Sequence, residues 1–202
     1  CGSRDVRSAA SSVRSSADPL EAALLDAVDI VADAVGIVRR EPAIVFVDGR
    51  SGAGKSTFAD LLAERLPGAT IVRLDDVYPG WDGLREGADT VREGVLPPLR
   101  RGERGSWCTW DWNADKPSDR VQSVAPAPVA IVEGAGILTP ESAELADVTV
   151  WLEAPLAARR ARALDRDGES YAPHWERWAR QEDAHLRDHH PERIARYVFR
   201  LP

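Results

Sequence analysis

Lysine and cysteine are both scarce in this 202-residue chain, which holds only Lys55 and Lys116, Cys1 and Cys108. Two cysteines give neither a disulfide framework nor zinc-ligand spacing, so a reducing cytoplasm is the simplest home. No apolar run approaches the roughly 20 residues that span a bilayer, and no signal-peptide core is visible, so no membrane partner is expected. An excess of positive charge is missing too. The formal net charge of -7 speaks against a sequence-independent nucleic-acid binder, for which a basic face is expected. Small anionic ligands stay open, because a loop of backbone amides makes its own positive field. The length suits one three-layer domain and is short for two. A homo-oligomer is left open.

The scarcity of lysine makes its placement informative. Lys55 sits in Gly49-Arg50-Ser51-Gly52-Ala53-Gly54-Lys55-Ser56-Thr57, which fits the phosphate-binding pattern G-x-x-x-x-G-K-[ST]. A short β-branched run at 43–48 precedes it and reads as a buried strand. Helical periodicity at 57–66, with Phe58, Leu61, Leu62 and Leu66, follows it. Glycines suit this position because the backbone must curl until successive N–H groups face phosphate oxygens. The helix start adds its positive dipole end. A compact ammonium at Lys55 fits between phosphates where a planar guanidinium does not, and the Ser56 hydroxyl is placed to ligate Mg²⁺.

Residues 1–17, rich in Ser, Ala and Arg, read as a disordered tail ahead of one domain at 18–202. Asp18-Pro19 opens a helix whose apolar positions Leu20, Leu24, Val28, Val31 and Val35 share a face. Further strands are predicted at 69–74, 129–132, 148–152 and 194–200. Helices are predicted at 86–101, kinked at Pro97-Pro98, and at 155–165 and 172–190, while 102–128 reads as loop. His185 and His189, four apart on a predicted helix, and the adjoining His190 lack a metalloprotease glutamate and read as solvated surface. Alternating strands and helices call for an α/β/α fold with a mostly parallel sheet. Its carboxyl rim would then carry Asp48, Asp75, Asp76 and Glu133.

The order of these segments resembles the uridine kinase, phosphoribulokinase and nicotinamide riboside kinase group of P-loop kinases. Leu74-Asp75-Asp76-Val77-Tyr78 resembles the group's acceptor motif, Trp110-Asp111-Trp112 its Tyr-Asp-Phe segment, Ala130-Ile131-Val132-Glu133-Gly134 its strand-Glu-Gly motif, and 159–167 its Arg-rich lid. Tryptophan stands where the group has Tyr and Phe, and the histidine of that segment is missing. The resemblance implies a P-loop NTPase fold with an Arg-rich helical lid at about 155–171. It also implies ATP and Mg²⁺ as cofactors, and a small-molecule acceptor.

Catalytic roles then fall to Lys55, Asp75, Glu133, Arg162 and Arg166, and metal ligation to Ser56, Asp75 and Glu133. Asp75, or else Asp76, is suited to take the proton of an attacking hydroxyl. Acceptor contacts fall to Asp75, Tyr78, Trp81, Trp110, Asp111, Trp112 and Glu133, where flat rings can cover a base or a sugar. Lys116 or Arg120 would meet a negative group already on the acceptor. The expectation is a kinase for a hydroxyl of a nucleoside or other sugar-containing compound. Alternatives are a phosphorylated sugar, a vitamin precursor or a nucleotide as acceptor, and a switch ATPase without one. The start Cys1-Gly2-Ser3 resembles a processed bacterial lipoprotein, but a chain lacking its first residues is the simpler reading for a protein that needs ATP.

Overall fold

The computed structural model describes residues 18–202 apart from Asn113, so the expected tail at 1–17 lies outside the described residues. Helix α1 (Pro19–Gly36) starts where its signals stand: the Asp18 carboxylate accepts the Leu20 N–H at 3.0 Å, and Pro19 fills the first turn. Then follow β1 (Ala43–Gly49), α2 (Lys55–Arg65), β2 (Thr70–Arg73), a 3-10 turn (Leu74–Asp76) and α3 (Leu84–Thr90). A π-helical turn (Val91–Val95) leads into α4 (Leu96–Arg100), β3 (Gly105–Asp111), β4 (Lys116–Val124) and β5 (Val129–Glu133). The chain closes with α5 (Pro140–Ala143), β6 (Val148–Glu153), α6 (Leu156–Tyr171), α7 (Trp175–His189), α8 (Pro191–Ile194) and β7 (Tyr197–Arg200).

Five strands form one sheet in the order β2-β5-β1-β6-β7, and every pairing in it is parallel. Strand β1 is buried at all seven positions and β5 at all five, as apolar strands covered on both faces must be. Alternate residues feed two cores. Val45, Val47, Ile131, Val150 and Leu152 pack under α1 and α2. Ile44, Phe46, Ala130 and Val132 pack under α3, α4 and the aromatic start of α7. This is the three-layer α/β/α arrangement of P-loop NTPases. Because β5 lies beside β1 with Val47 opposite Glu133, and beside β2 with Arg73 opposite Glu133, the strand order brings Glu133 next to the glycine-rich loop.

Three segments differ from their sequence reading. The stretch at 102–128 is an antiparallel hairpin, β3 with β4, pinned to the rest by Trp107, whose Nε1 donates to the Asp76 carbonyl at 3.1 Å. The helix expected at 86–101 is split, and its irregular turn lies at Val91–Val95 rather than at the prolines. Pro97 and Pro98 supply no N–H to the carbonyls of the preceding turn, which therefore loosens. The Arg-rich helix runs past 165 to Tyr171, with a break at Gly168 (φ 57°, ψ -136°).

Candidate active site

Gly49 to Gly54 curl between β1 and α2, and Gly54 (φ 100°) caps the helix, so the first N–H groups of α2 face a cavity of about 800 Å³. Gly52 is needed for close approach: a Cβ there would stand 2.0 Å from the Arg159 carbonyl oxygen. Helix α6 is thus seated directly on the loop. The buried Arg159 donates from Nη1 to the Ser51 carbonyl at 3.1 Å, and Arg162 donates from Nε to the Gly52 carbonyl at 2.8 Å. Arg162 Nη1 donates to the Pro202 carbonyl at 2.8 Å, while its Nη2 is buried with no hydrogen-bond partner among the described residues. Arg162 also lines the cavity.

Lys55 reaches back to the Arg50 carbonyl at 3.3 Å and borders the cavity. Ser56 Oγ donates to Glu133 Oε1 at 3.0 Å, and Arg73 Nη1 donates to the same oxygen at 3.1 Å. Glu133 is 3% exposed. Burial pushes its carboxyl above the ordinary glutamate value, and the Asp75 charge adds to that, against the pull of Lys55, Ser56 and Arg73. Asp75 and Asp76 are both exposed, Asp75 on the cavity wall, and partial desolvation and then the Asp75 charge raise the Asp76 carboxyl. Arg166 lies at the same cavity, paired with its neighbour Asp167 through Nε at 2.9 Å and Nη2 at 2.7 Å.

The far end of this cavity is aromatic. Trp81 stacks on His174 with centroids 4.2 Å apart and on Tyr171 at 5.4 Å, and meets Trp112 edge-on at 4.9 Å. Trp178 completes the wall and meets Tyr78 edge-on at 4.8 Å. Tyr78 is 1% exposed, and its hydroxyl donates to the Ala135 carbonyl at 2.7 Å, so its polar end is already engaged. Burial lifts that hydroxyl well above its ordinary pKa.

Other residues singled out from the sequence lie elsewhere. Arg50 turns away from the cavity to Glu182 at 2.9 Å and Asp183 at 2.8 Å on α7. The Trp110 ring lies over Gly80, and the Asp111 carboxylate accepts the Ala114 N–H at 3.0 Å. Neither Trp110 nor Asp111 lines the cavity, and Lys116 and Arg120 lie on β4, also outside it. His185 is a correction. It is 7% exposed, with Nε2 donating at 3.1 Å to the fully buried Asp48. Asp48 also accepts the N–H groups of Gly49, Gly136 and Leu138 at 2.6, 3.0 and 2.8 Å, so a histidine read as solvated closes a buried network. Arg73, Tyr171, His174, Trp178 and Glu182 escaped the sequence reading; only the aromatic start of α7 carried a visible signal.

No family model matches the chain. Over 137 residues it is 26% identical to the uridine kinase of Borrelia turicatae, a match covering 61% of this chain and 66% of that protein. Over 128 residues it is 32% identical to the cytidylate kinase of Natronomonas pharaonis, covering 63% of this chain and 60% of that protein. The match thus spans somewhat under two thirds of each of these curated relatives. A solved structure described as a possible uridine kinase from Bacillus stearothermophilus superposes with a TM-score of 0.64 at 18% identity, covering 87% of this chain and 98% of that one. At that identity the superposition carries the fold.

Proposed function

We propose that this chain, related in sequence and fold to P-loop kinases of the uridine kinase group, is an ATP-dependent phosphotransferase acting on a hydroxyl of a nucleoside or other sugar-containing small molecule. The observation that carries the reading is one continuous cavity, with Lys55, Ser56, Glu133 and Asp75 at its loop end and Trp81, Trp112 and Tyr171 at the other. A switch ATPase has no use for the aromatic end. A flat acceptor fits it, with its hydroxyl directed at the loop.

The loop accommodates a triphosphate on two grounds: the first turn of α2, entered through Gly54, lines the cavity, and the partnerless Nη2 of Arg162 is buried beside it. Lys55, Arg162 and Arg166 would bear on phosphate oxygens, with Arg166 exchanging its Asp167 partner for them. Ser56, Glu133 and Asp75 are oxygen donors of the kind that hold Mg²⁺, which when bound would neutralise phosphate charge. Asp75, exposed on the cavity wall, would accept the acceptor's hydroxyl proton. Placement and charge neutralisation are the main demands of phosphoryl transfer. Among the described residues, the cations lining the cavity are Lys55, Arg73, Arg162 and Arg166, all outside the aromatic cage. That favours an acceptor without a phosphate of its own over a sugar phosphate or nucleotide.

The test is a screen of nucleosides, sugars and vitamin precursors, with ATP consumption and product phosphorylation both followed. Lys55→Ala should abolish transfer to any acceptor found while leaving the melting temperature near that of the parent. Turnover unchanged in this variant, or hydrolysis with no acceptor phosphorylated, would defeat the proposal.

A further inference from the structure

Helix α7 presents Trp178, Gln181, Glu182 and His185 at steps of three and four residues, hence on one face. Each of the four meets a different part of the site. Trp178 walls the aromatic end. Gln181 Nε2 donates to the Trp81 carbonyl at 2.7 Å, and its Oε1 accepts the Leu84 N–H at 3.3 Å. Glu182, 2% exposed, accepts the Ser51 N–H at 2.7 Å and Arg50 Nε at 2.9 Å. His185 bonds Asp48, which in turn holds the Gly49 N–H.

We infer that α7 sets the acceptor cage in register with the phosphate loop, and that Glu182 is the positioning residue at its loop end. This rests on the phosphotransferase reading above. A carboxylate so deeply buried is costly unless its oxygens are fully partnered, so the Ser51 and Arg50 bonds resist displacement. The same charge, with Asp183, draws the Arg50 guanidinium out of the cavity and leaves the anion site to Lys55, Arg162 and Arg166. Because Trp178 lies one turn before Glu182 on a hydrogen-bonded helix, a shift at either end moves the other. Gln181 adds the Trp81 backbone to the same rigid body. In-line transfer demands such register, and a misplacement of about 1 Å is worth about 100-fold in rate.

Amide exchange on the full chain, with and without Mg²⁺ and a non-hydrolysable ATP analogue, tests this. In the parent protein the analogue should slow exchange in 49–57 and also in 175–189. In Glu182→Gln the loop should still respond while α7 no longer does. With an acceptor found in the screen, Glu182→Gln should lower kcat about 10- to 100-fold, with KM for ATP changed less than about threefold and more ATP hydrolysed per product formed. Glu182→Asp, which keeps the charge but is one methylene short, should not restore kcat. Asp147→Asn, which breaks the half-buried Arg100 pair remote from the cavity, serves as a destabilised control and should keep its coupling ratio. An α7 that ignores the analogue in the parent overturns the inference, as does a Glu182→Gln variant that behaves like Asp147→Asn. If no acceptor is phosphorylated, the substrate reading falls while the exchange result still decides the role of α7.

Discussion

In the role proposed for it, Glu133 sets function against stability. Its folded-state carboxyl is raised, so the folded chain holds that proton more tightly than the unfolded chain does. The destabilisation is absent below the ordinary glutamate value, grows as pH climbs from there to the raised value, and is constant above it. Glu133→Gln, which can still accept from Ser56 and Arg73, should therefore melt higher than the parent at pH 8 without ligand and show a smaller gain at pH 4. Its transfer rate should fall on the order of 100-fold, the scale for a group acting on the reacting centre. Equal melting gains at the two pH values would show that burial of the charge is not the cause. Two tryptophans of the cage separate along a different line. Trp112 is 38% exposed, so Trp112→Ala should raise the acceptor KM and change stability by no more than about 0.5 kcal/mol. Trp178 is 5% exposed and packed on Tyr78, so Trp178→Ala should cost about 3–5 kcal/mol in urea unfolding.

At the scale of elements, α6 is two things joined at Gly168. Its first part is fixed to the loop through Arg159 and Arg162, which limits how much of the expected lid at 155–171 can swing. The part beyond Gly168 carries Tyr171 into the cage. A Cβ at Gly168 meets nothing within 4 Å, so the cost of Gly168→Ala is conformational: φ 57° with ψ -136° is a glycine region. The variant should lose about 1–3 kcal/mol, or else straighten α6 and carry Tyr171 away, seen as a raised acceptor KM. No change in either unfolding free energy or KM would mean that the break is inconsequential. The elements also show why some features escaped the sequence. Strand β4 is nearly all exposed or half-buried, with Val124 its one buried residue, so it offered no alternation to read. The glycine-rich loop, α1 and the buried strands announced themselves because capping, glycine placement and apolar runs are local. Glu182 and His185 did not, since a polar residue on a helix is buried only by what docks against it, here Asp48 and the loop after it, 131 to 137 residues earlier in the chain.

Across the whole molecule, the parallel sheet places the loop, Glu133 and the 74–76 turn at one edge, as the strand-end acids suggested, whereas the second wall of the cavity comes from helices after β6. That wall is rich in rings, and their crowding has an optical consequence. Trp81 lies within 6.4 Å of both Trp112 and Trp178 and is stacked on His174. Indoles at such spacing exchange excitation before they emit. A molecule seated on the half-exposed Trp112 ring therefore need touch only that one to alter the light from all three. The cage reports its own occupancy in the native fluorescence of the chain, with no dye or label attached.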